Sequence, residues 1–136
     1  MSAKRVGILG GGQLGAMLAE SLRTLGARVR VFDPDPAAPA CERVAERVNA
    51  EWADRGALAR FADGCDVLTC DTEHVPLASL RGQPWAGRLR PSLRAIAIAQ
   101  HRVREKAFLA GAGLPHARWR AARTTGLRTG PSWRRG

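Results

Sequence analysis

The sequence contains no tyrosine and only three cysteines, Cys41, Cys65 and Cys70. No two of them form a CxxC pair, so the sequence predicts neither a disulfide framework nor a thiolate metal centre, and we expect no metal site. Unpatterned cysteines are typical of proteins whose thiols stay reduced. We therefore expect a cytoplasmic protein with free thiols.

Long hydrophobic runs are missing as well. Lys4 and Arg5 precede only the short apolar stretch Val6–Leu9 before glycines interrupt it. A membrane-spanning helix needs about 20 apolar residues, and a signal-peptide core about 7–15. We expect no secretory signal and no contact with a membrane. With 45% apolar residues in 136, the chain has the composition of one globular domain.

Acidic residues are scarce in the second half of the chain. Residues 76–136 contain 13 Lys or Arg and the single acid Glu105, whereas residues 1–75 contain 9 basic and 11 acidic residues. Trp119 and Trp133 lie among arginines without periodicity, so no nucleic-acid motif is recognisable and we expect no such partner. Residues 117–136 are predicted to be a disordered basic tail, with polyanion binding as the alternative. The break in composition favours the hypothesis of a frameshift, which sequencing of the locus in the other frames would test.

The rest of the chain is organised around a glycine cluster that follows an apolar run. Arg5–Leu9 is the predicted strand, Gly10-Gly11-Gly12 a tight loop, and Gln13–Leu25 an amphipathic helix. N–H groups at the start of such a helix favour an anion such as phosphate. Gly10-x-Gly12-x-x-Gly15 matches the dinucleotide fingerprint, and Asp33 stands where a ribose-binding acid would. A stand-alone NAD(P)- or nucleotide-binding module is therefore one interpretation.

Strand and helix patterns alternate after this unit, which predicts a Rossmann-like parallel α/β sheet with flanking helices. In the first helix, Leu14, Met17, Leu18, Leu22 and Leu25 predict one buried face. The last predicted helix runs from His101 to about Ala110, and its residues Val103, Ala107 and Phe108 are expected to point inward. The other predicted strands are 27–32, 48–52, 66–70 and 88–90, and the other predicted helices are 40–47, 55–62, 76–80 and 92–99. Asp54 and Ser92 are predicted helix caps.

Two further segments contain candidate site residues. Glu73 follows the predicted strand 66–70, whose carboxyl end opens onto the same sheet edge as the glycine loop. Its carboxylate can accept hydrogen bonds from ribose hydroxyls or an amine, or it is a solvated loop acid. Arg102 and Lys106 are four residues apart on one helix face and can hold phosphates, or form an ordinary charged face with Glu105. His74 is interpreted as a loop residue.

Four ordered segments together resemble one known family. GILGGGQLGAM, DPDPAAPA, TCDTEHVP and RPSLRAIAIAQHRVREKAFL, followed by GLP, are similar to the amino-terminal part of 5-(carboxyamino)imidazole ribonucleotide synthetase. That enzyme, also called the phosphoribosylaminoimidazole carboxylase ATPase subunit, belongs to the ATP-grasp superfamily. The resemblance covers about residues 5–116. It implies a pre-ATP-grasp domain over 1–99, a helical connection over 100–116 and then the tail.

The resemblance also implies the roles of particular residues. Gly12, Gln13, Leu14 and Glu73 would contact aminoimidazole ribonucleotide, and Arg102 and Lys106 would bind ATP. The family reaction carboxylates that ribonucleotide with bicarbonate at the expense of ATP in purine biosynthesis, with magnesium bridging the phosphates. The resemblance also implies that the intact enzyme forms a homodimer.

The sequence also departs from the family pattern. Cys70-Asp71-Thr72-Glu73-His74-Val75 keeps Glu73 but lacks the aromatics of the family's YEFENV-like motif, and His101 and Ala16 replace a usual acid and a usual arginine. The family chain is more than twice as long, so the chain resembles a truncated member without magnesium ligands. None of its residues is predicted to be catalytic, and the chain alone is expected to be inactive.

Overall fold

The computed structural model of the chain describes residues 3–121. It contains a four-stranded parallel sheet in the order β3-β2-β1-β4. Val6 in the central strand β1 is aligned with Val29 of β2 and Val67 of β4. The strands are β1 (Arg5–Leu9), β2 (Arg28–Phe32), β3 (Glu46–Val48) and β4 (Val67–Cys70). The predicted Rossmann-like parallel sheet with flanking helices is confirmed.

Helices connect the strands and continue after the sheet. They are α1 (Gln13–Thr24), α2 (Pro39–Arg43), α3 (Arg55–Ala62), α4 (Leu77–Leu80), α5 (Leu93–Ala99) and α6 (Arg102–Gly111), with a 3-10 turn at Ala86–Arg88. Both predicted caps are present. Asp54 accepts a hydrogen bond from the Ala57 N–H at 2.8 Å, and the Ser92 hydroxyl accepts one from the Ala95 N–H at 3.3 Å.

Alternating residues of β1 point into two separate cores. Ile8 packs with Ala16, Ala19 and Val31 in the core beneath α1 and α2. Leu9 packs with Phe32, Phe61 and Leu68 in the larger core, to which α3 and α4 contribute. Both faces of the sheet are therefore covered, as a parallel sheet requires. The carboxyl ends of the strands are left at one edge, where the candidate site lies.

The prediction that large apolar side chains form the buried face of α1 is wrong for Leu14, Met17 and Leu25. Leu14, Met17 and Leu25 are 66%, 62% and 83% exposed, and Leu18 and Leu22 are only partly buried. The face that packs consists of Gly15, Ala16 and Ala19. These small residues let the helix backbone lie close to the sheet and α2, and of the predicted face Leu18 and Leu22 pack against that core.

Several element boundaries also differ from the predictions. Helix α2 ends at Arg43, because Val44 is extended and Glu46 already pairs with Arg30 in the sheet. The third strand is therefore Glu46–Val48 rather than 48–52. The predicted strand 88–90 is a single parallel bridge between Leu68 and Leu89.

Helix α6 contains no buried residue. Val103 and Phe108 are 38% and 50% exposed, and Ala107 is exposed, so their predicted inward orientation is wrong. The helix packs along α5 rather than across the sheet, which gives it no core to enter. Of the predicted tail, residues 117–121 are exposed and irregular, and the prediction for 122–136 lies outside the described residues.

No helix in residues 3–121 is long and apolar enough to span a membrane.

Candidate functional site

The glycine loop and the segment after β4 meet at the carboxyl edge of the sheet. Leu9, the last residue of β1, is aligned with Cys70, the last residue of β4. Gly10 and Asp71 therefore leave neighbouring strands at the same level. Crevices at this edge are where ligands bind in open parallel sheets.

The N–H groups of the glycine loop are engaged within the chain. Gly10 donates to the carbonyl of Phe32 at 2.9 Å. Gly11 donates to Asp33 Oδ2 at 2.7 Å, and Gly12 donates to Asp71 Oδ2 at 2.8 Å. The sequence predicts donors that are open to a phosphate. In the structure, two N–H groups just before the helix, those of Gly11 and Gly12, already donate to carboxylates of the chain itself.

Both carboxylate oxygens of Asp33 accept hydrogen bonds from backbone N–H groups of the chain. While Oδ2 accepts from Gly11, Oδ1 accepts from the Asp35 N–H at 2.8 Å. Asn49 holds the same turn by donating to the carbonyl of Asp33 at 3.0 Å. The oxygens with which Asp33 would accept hydrogen bonds from ribose hydroxyls therefore already accept from the N–H groups of Gly11 and Asp35.

Asp71 is the site residue that the sequence prediction did not single out. Its carboxylate is enclosed by the glycine loop: a Cβ on Gly10 would collide with it, and one on Gly12 would lie 2.8 Å from Oδ2. Oδ1 is buried without a hydrogen-bond partner among the described residues. Burial, followed by the charge of Asp33, raises the pKa of Asp71, although N–H groups of Gly12 and Gly15 act in the opposite direction. The sequence signal that could have identified Asp71 is its position directly after a buried strand.

Two clefts flank the segment Asp71–Thr72. The first has a volume of about 330 Å³ and is lined on its polar side by Asp71, Thr72 and Glu73. Its apolar side is lined by Pro91, which precedes α5, and by Ala95, Ile96 and Ala99 of α5. The second, of about 400 Å³, is lined by the glycine loop, Asp33, Asp71, Thr72, His74, Val75 and Trp52. Gly12 and Glu73 thus belong to adjacent clefts. Gln13 and Leu14 are exposed in the first turn of α1 and line neither cleft.

Glu73 lies on a loop whose backbone is held from α5. Its side chain is 46% exposed, and Oε1 is 3.5 Å from His74 Nε2. The Gln100 side-chain NH₂ donates to the carbonyl of Glu73 at 2.6 Å and to that of Val75 at 2.8 Å. Gln100 is a second residue that sequence reasoning missed, because its partners lie 27 and 25 residues away.

Arg102 and Lys106 lie on α6, outside the lining of both clefts. Arg102 Nη1 is 2.7 Å from Glu105 Oε2, and the arginine side chain is 85% exposed. The hydrogen bond from Arg102 lowers the pKa of Glu105. Glu105 thus balances the charge of Arg102, as the alternative interpretation of this helix expects, and Lys106 is partly buried beside it.

A metal ion would need several donor side chains that converge on one point. Within 3–121, no three or more His, Cys, Asp or Glu side chains form a group that could hold a cation. The described residues therefore do not fit the magnesium that the resemblance implies, and no chemistry is derived through it.

Two curated relatives of this chain have the same enzyme name. The family model for the ribonucleotide synthetase preATP-grasp domain matches residues 3–100. N5-carboxyaminoimidazole ribonucleotide synthase of Brucella melitensis biotype 1 is 35% identical over 115 residues, which are 85% of this chain and 32% of the relative. The enzyme of the same name from Aquifex aeolicus is 39% identical over 110 residues, or 81% of this chain and 28% of the relative.

Solved structures agree with the sequence relatives. The N5-carboxyaminoimidazole ribonucleotide synthetase of Thermus thermophilus has a TM-score of 0.72 and 46% identity, covering 81% of this chain and 30% of that one. The N5-carboxyaminoimidazole synthase of Aspergillus clavatus, in complex with ADP and 5-aminoimidazole ribonucleotide, has a TM-score of 0.71 and 37% identity, covering 85% and 31%.

The chain spans about a third of the length of the curated relatives it matches. The matched residues 3–100 include the whole sheet, the glycine loop and the segment Asp71–Glu73. Because the family model matches well over half of the chain, the chain belongs to the ribonucleotide synthetase preATP-grasp domain family.

Proposed function

We propose that this domain binds aminoimidazole ribonucleotide at the carboxyl edge of its sheet, as the substrate side of an ATP-dependent carboxylation by bicarbonate in purine biosynthesis. The observation that supports this most is the meeting of the glycine loop with Asp71–Glu73 in a domain whose relatives are N5-carboxyaminoimidazole ribonucleotide synthases. A similar structure holds both ADP and 5-aminoimidazole ribonucleotide.

Glu73 is proposed as the principal contact with the ribonucleotide. Its carboxylate is half-exposed beside the first cleft, so its oxygens are available to ribose hydroxyls or to the amine. A hydrogen bond to an ionised acceptor contributes about 1.5–3 kcal/mol. Gly12, Gln13 and Leu14 are proposed to contact the same ligand from the opposite side, Gly12 from the second cleft and the other two from the exposed first turn of α1.

Arg102 and Lys106 are proposed to bind ATP. The Arg102 side chain is 85% exposed, so exchanging its glutamate partner for a phosphate costs little, because ion pairs of solvent-exposed side chains contribute little to stability. A phosphate also carries more charge than a carboxylate. Helix α6 follows Gln100, which holds the Glu73 loop, and the ATP contact would thus be joined to the ribonucleotide contact through α5.

The remaining reaction partners are proposals from the family. We propose that the domain ends near residue 99 and that residues 100–116 begin the connection to an ATP-grasp domain. Bicarbonate, magnesium and the homodimer contacts are proposed to involve parts of the enzyme outside the described residues. The 136-residue chain alone is expected not to release ADP in response to aminoimidazole ribonucleotide. The free thiols Cys41, Cys65 and Cys70 support a cytoplasmic location.

The alternative, a stand-alone NAD(P)- or nucleotide-binding module, is disfavoured by the loop itself. A dinucleotide needs N–H donors for its pyrophosphate and a free acid for its ribose. Gly11, Gly12 and Asp33 are all committed to hydrogen bonds within the chain. We therefore expect NADH not to bind.

The proposal is tested by isothermal titration of the 136-residue chain with aminoimidazole ribonucleotide, ATP and NADH. The ribonucleotide is expected to bind, and Glu73→Gln to weaken it by about tenfold or more, as loss of a charged acceptor predicts. Glu42→Gln is the matched control, because Glu42 is an exposed glutamate of α2 and lines neither cleft. Binding of NADH without the ribonucleotide, or equal effects of the two variants, would contradict the proposal.

A further inference from the structure

The strongest unassigned feature is the enclosed carboxylate of Asp71. It lines both clefts and reaches the start of α1 from the end of a neighbouring strand. The N-cap residue Gly12 has no side chain of its own to cap the helix, and Asp71 accepts its N–H instead. A negative group at this position is what a helix N-terminus favours.

We infer that Asp71 is a specificity-determining residue: it occupies the position of a bound phosphate in the glycine loop and thereby excludes phosphate groups from it. The inference goes beyond the proposed function, since it concerns which chemical groups the loop rejects, whatever ligand the clefts accept.

The hydrogen bonds of the loop support this inference. The N–H groups of Gly10, Gly11 and Gly12 donate to Phe32, Asp33 and Asp71, in that order. A phosphate would have to displace a carboxylate from its donor. The displaced carboxylate would then lose the hydrogen bond that offsets its burial.

The shape of the loop supports it as well. A Cβ at Gly12 would lie 2.8 Å from Asp71 Oδ2, and one at Gly10 would collide with Asp71 Oδ1. A Cβ at Gly15 would lie 2.8 Å from the carbonyl oxygen of Gly10 and 3.2 Å from Asp71 Oδ2. The absence of a Cβ at Gly10 and Gly12 therefore makes room for the aspartate. The carboxylate of Asp71 therefore lies against the loop and forms part of the wall of the second cleft.

The charges around the loop point in the same direction. The residues that line the second cleft include Asp33 and Asp71 but no lysine or arginine of the described chain. An anion entering this cleft would meet two carboxylates and no lysine or arginine from its lining. A neutral or cationic group, or one rich in hydrogen-bond donors, fits the cleft instead. If the proposed function holds, the ribonucleotide presents its ring or ribose to the loop and its phosphate elsewhere.

The inference is tested by titrating inorganic pyrophosphate, without a divalent cation, into the 136-residue chain and its Asp71→Ala variant. The substitution leaves the Gly12 N–H unpaired at the start of a 12-residue helix, next to an empty space of carboxylate size. Pyrophosphate is expected to bind the variant at least tenfold more tightly than the unmodified chain, with amide NMR shifts at Gly11 and Gly12. Asp63→Ala, which removes an exposed aspartate elsewhere, is expected to change nothing.

A second variant keeps the test decisive if Asp71→Ala does not fold. Asp71→Asn retains an oxygen for the Gly12 N–H but removes the charge, so pyrophosphate affinity is expected to rise by a smaller factor. Two results would overturn the inference. One is that a folded Asp71→Ala or Asp71→Asn variant binds pyrophosphate no more tightly than the unmodified chain. The other is that the added binding perturbs amides away from the loop.

Discussion

Removal of the Gln100 side chain should release the loop that carries Glu73. One NH₂ group supplies both hydrogen bonds to this loop, at 2.6 Å and 2.8 Å. Each neutral hydrogen bond contributes about 0.5–1.5 kcal/mol net. Two bonds from a partly buried side chain predict that Gln100→Ala lowers the free energy of unfolding by about 1–2 kcal/mol, after the ordering entropy of a glutamine is subtracted. Gln100→Glu should cost more, because a carboxylate would face two carbonyl oxygens without a donor.

The effect is measured by urea unfolding and by amide hydrogen exchange. With an m-value of about 1–2 kcal/mol/M, the urea midpoint should fall by about 1 M. The N–H of His74, which donates to Thr72 Oγ1 at 3.2 Å within the same loop, should lose protection. Exchange reports the local release even when global unfolding is hardly affected.

A second glutamine of the chain provides the control. Gln83 makes one long hydrogen bond, to the carbonyl of Ser79 at 3.4 Å, so Gln83→Ala should change the unfolding free energy by less than about 0.5 kcal/mol. Equal losses in the two alanine variants, or unchanged exchange at His74 in Gln100→Ala, would show that Gln100 does not hold the loop.

Two further substitutions test the fold that positions the site. Gly7→Ala should lower the free energy of unfolding by about 1–3 kcal/mol in urea titrations, because the added Cβ would lie 2.6 Å from Leu68 Cδ2. In the control Gly87→Ala, the added Cβ meets nothing within 4 Å, so the free energy of unfolding should not change. Similar losses in both variants would refute the packing argument. The Arg30 hydrogen bond lowers the pKa of Glu46, so this pair stabilises the fold above the unfolded-state pKa, and the stabilisation is lost as the pH falls through the lower folded-state pKa. Glu46→Gln should flatten that part of the curve of urea midpoint against pH, and an unchanged slope would contradict the assignment.

Local signals in the sequence were sufficient for much of the fold. The apolar run Val6–Leu9, the glycines after it and the cap Asp54 each predict an element that the structure contains. The periodicity of apolar residues did not predict the buried face of α1, because the pattern reflects the size of the side chains and not the distance between the helix backbone and the sheet. Ala16 and Ala19 approach the sheet closely, and the larger Leu14 remains exposed.

The candidate site was only partly predictable, for a different reason. Glu73 and Gly12 could be assigned to one sheet edge from topology, but their contacts depend on partners distant in the sequence. Asp71 lies 59 residues from the Gly12 N–H, and the pair forms because β1 and β4 are adjacent and in a particular register. A single sequence does not specify that register. The glycine loop consequently resembled an open phosphate site, although Asp71 already accepts the Gly12 N–H.

The central claim is that aminoimidazole ribonucleotide binds at the carboxyl edge of this sheet. It is tested most directly by backbone amide NMR of the isotopically labelled 136-residue chain during titration with the ribonucleotide. The account predicts saturable shifts in the two segments 10–15 and 71–75, with little change at Arg28 or Gly64 on the opposite edge. Shifts confined to that opposite edge, or no saturable shifts in a folded chain, would contradict it.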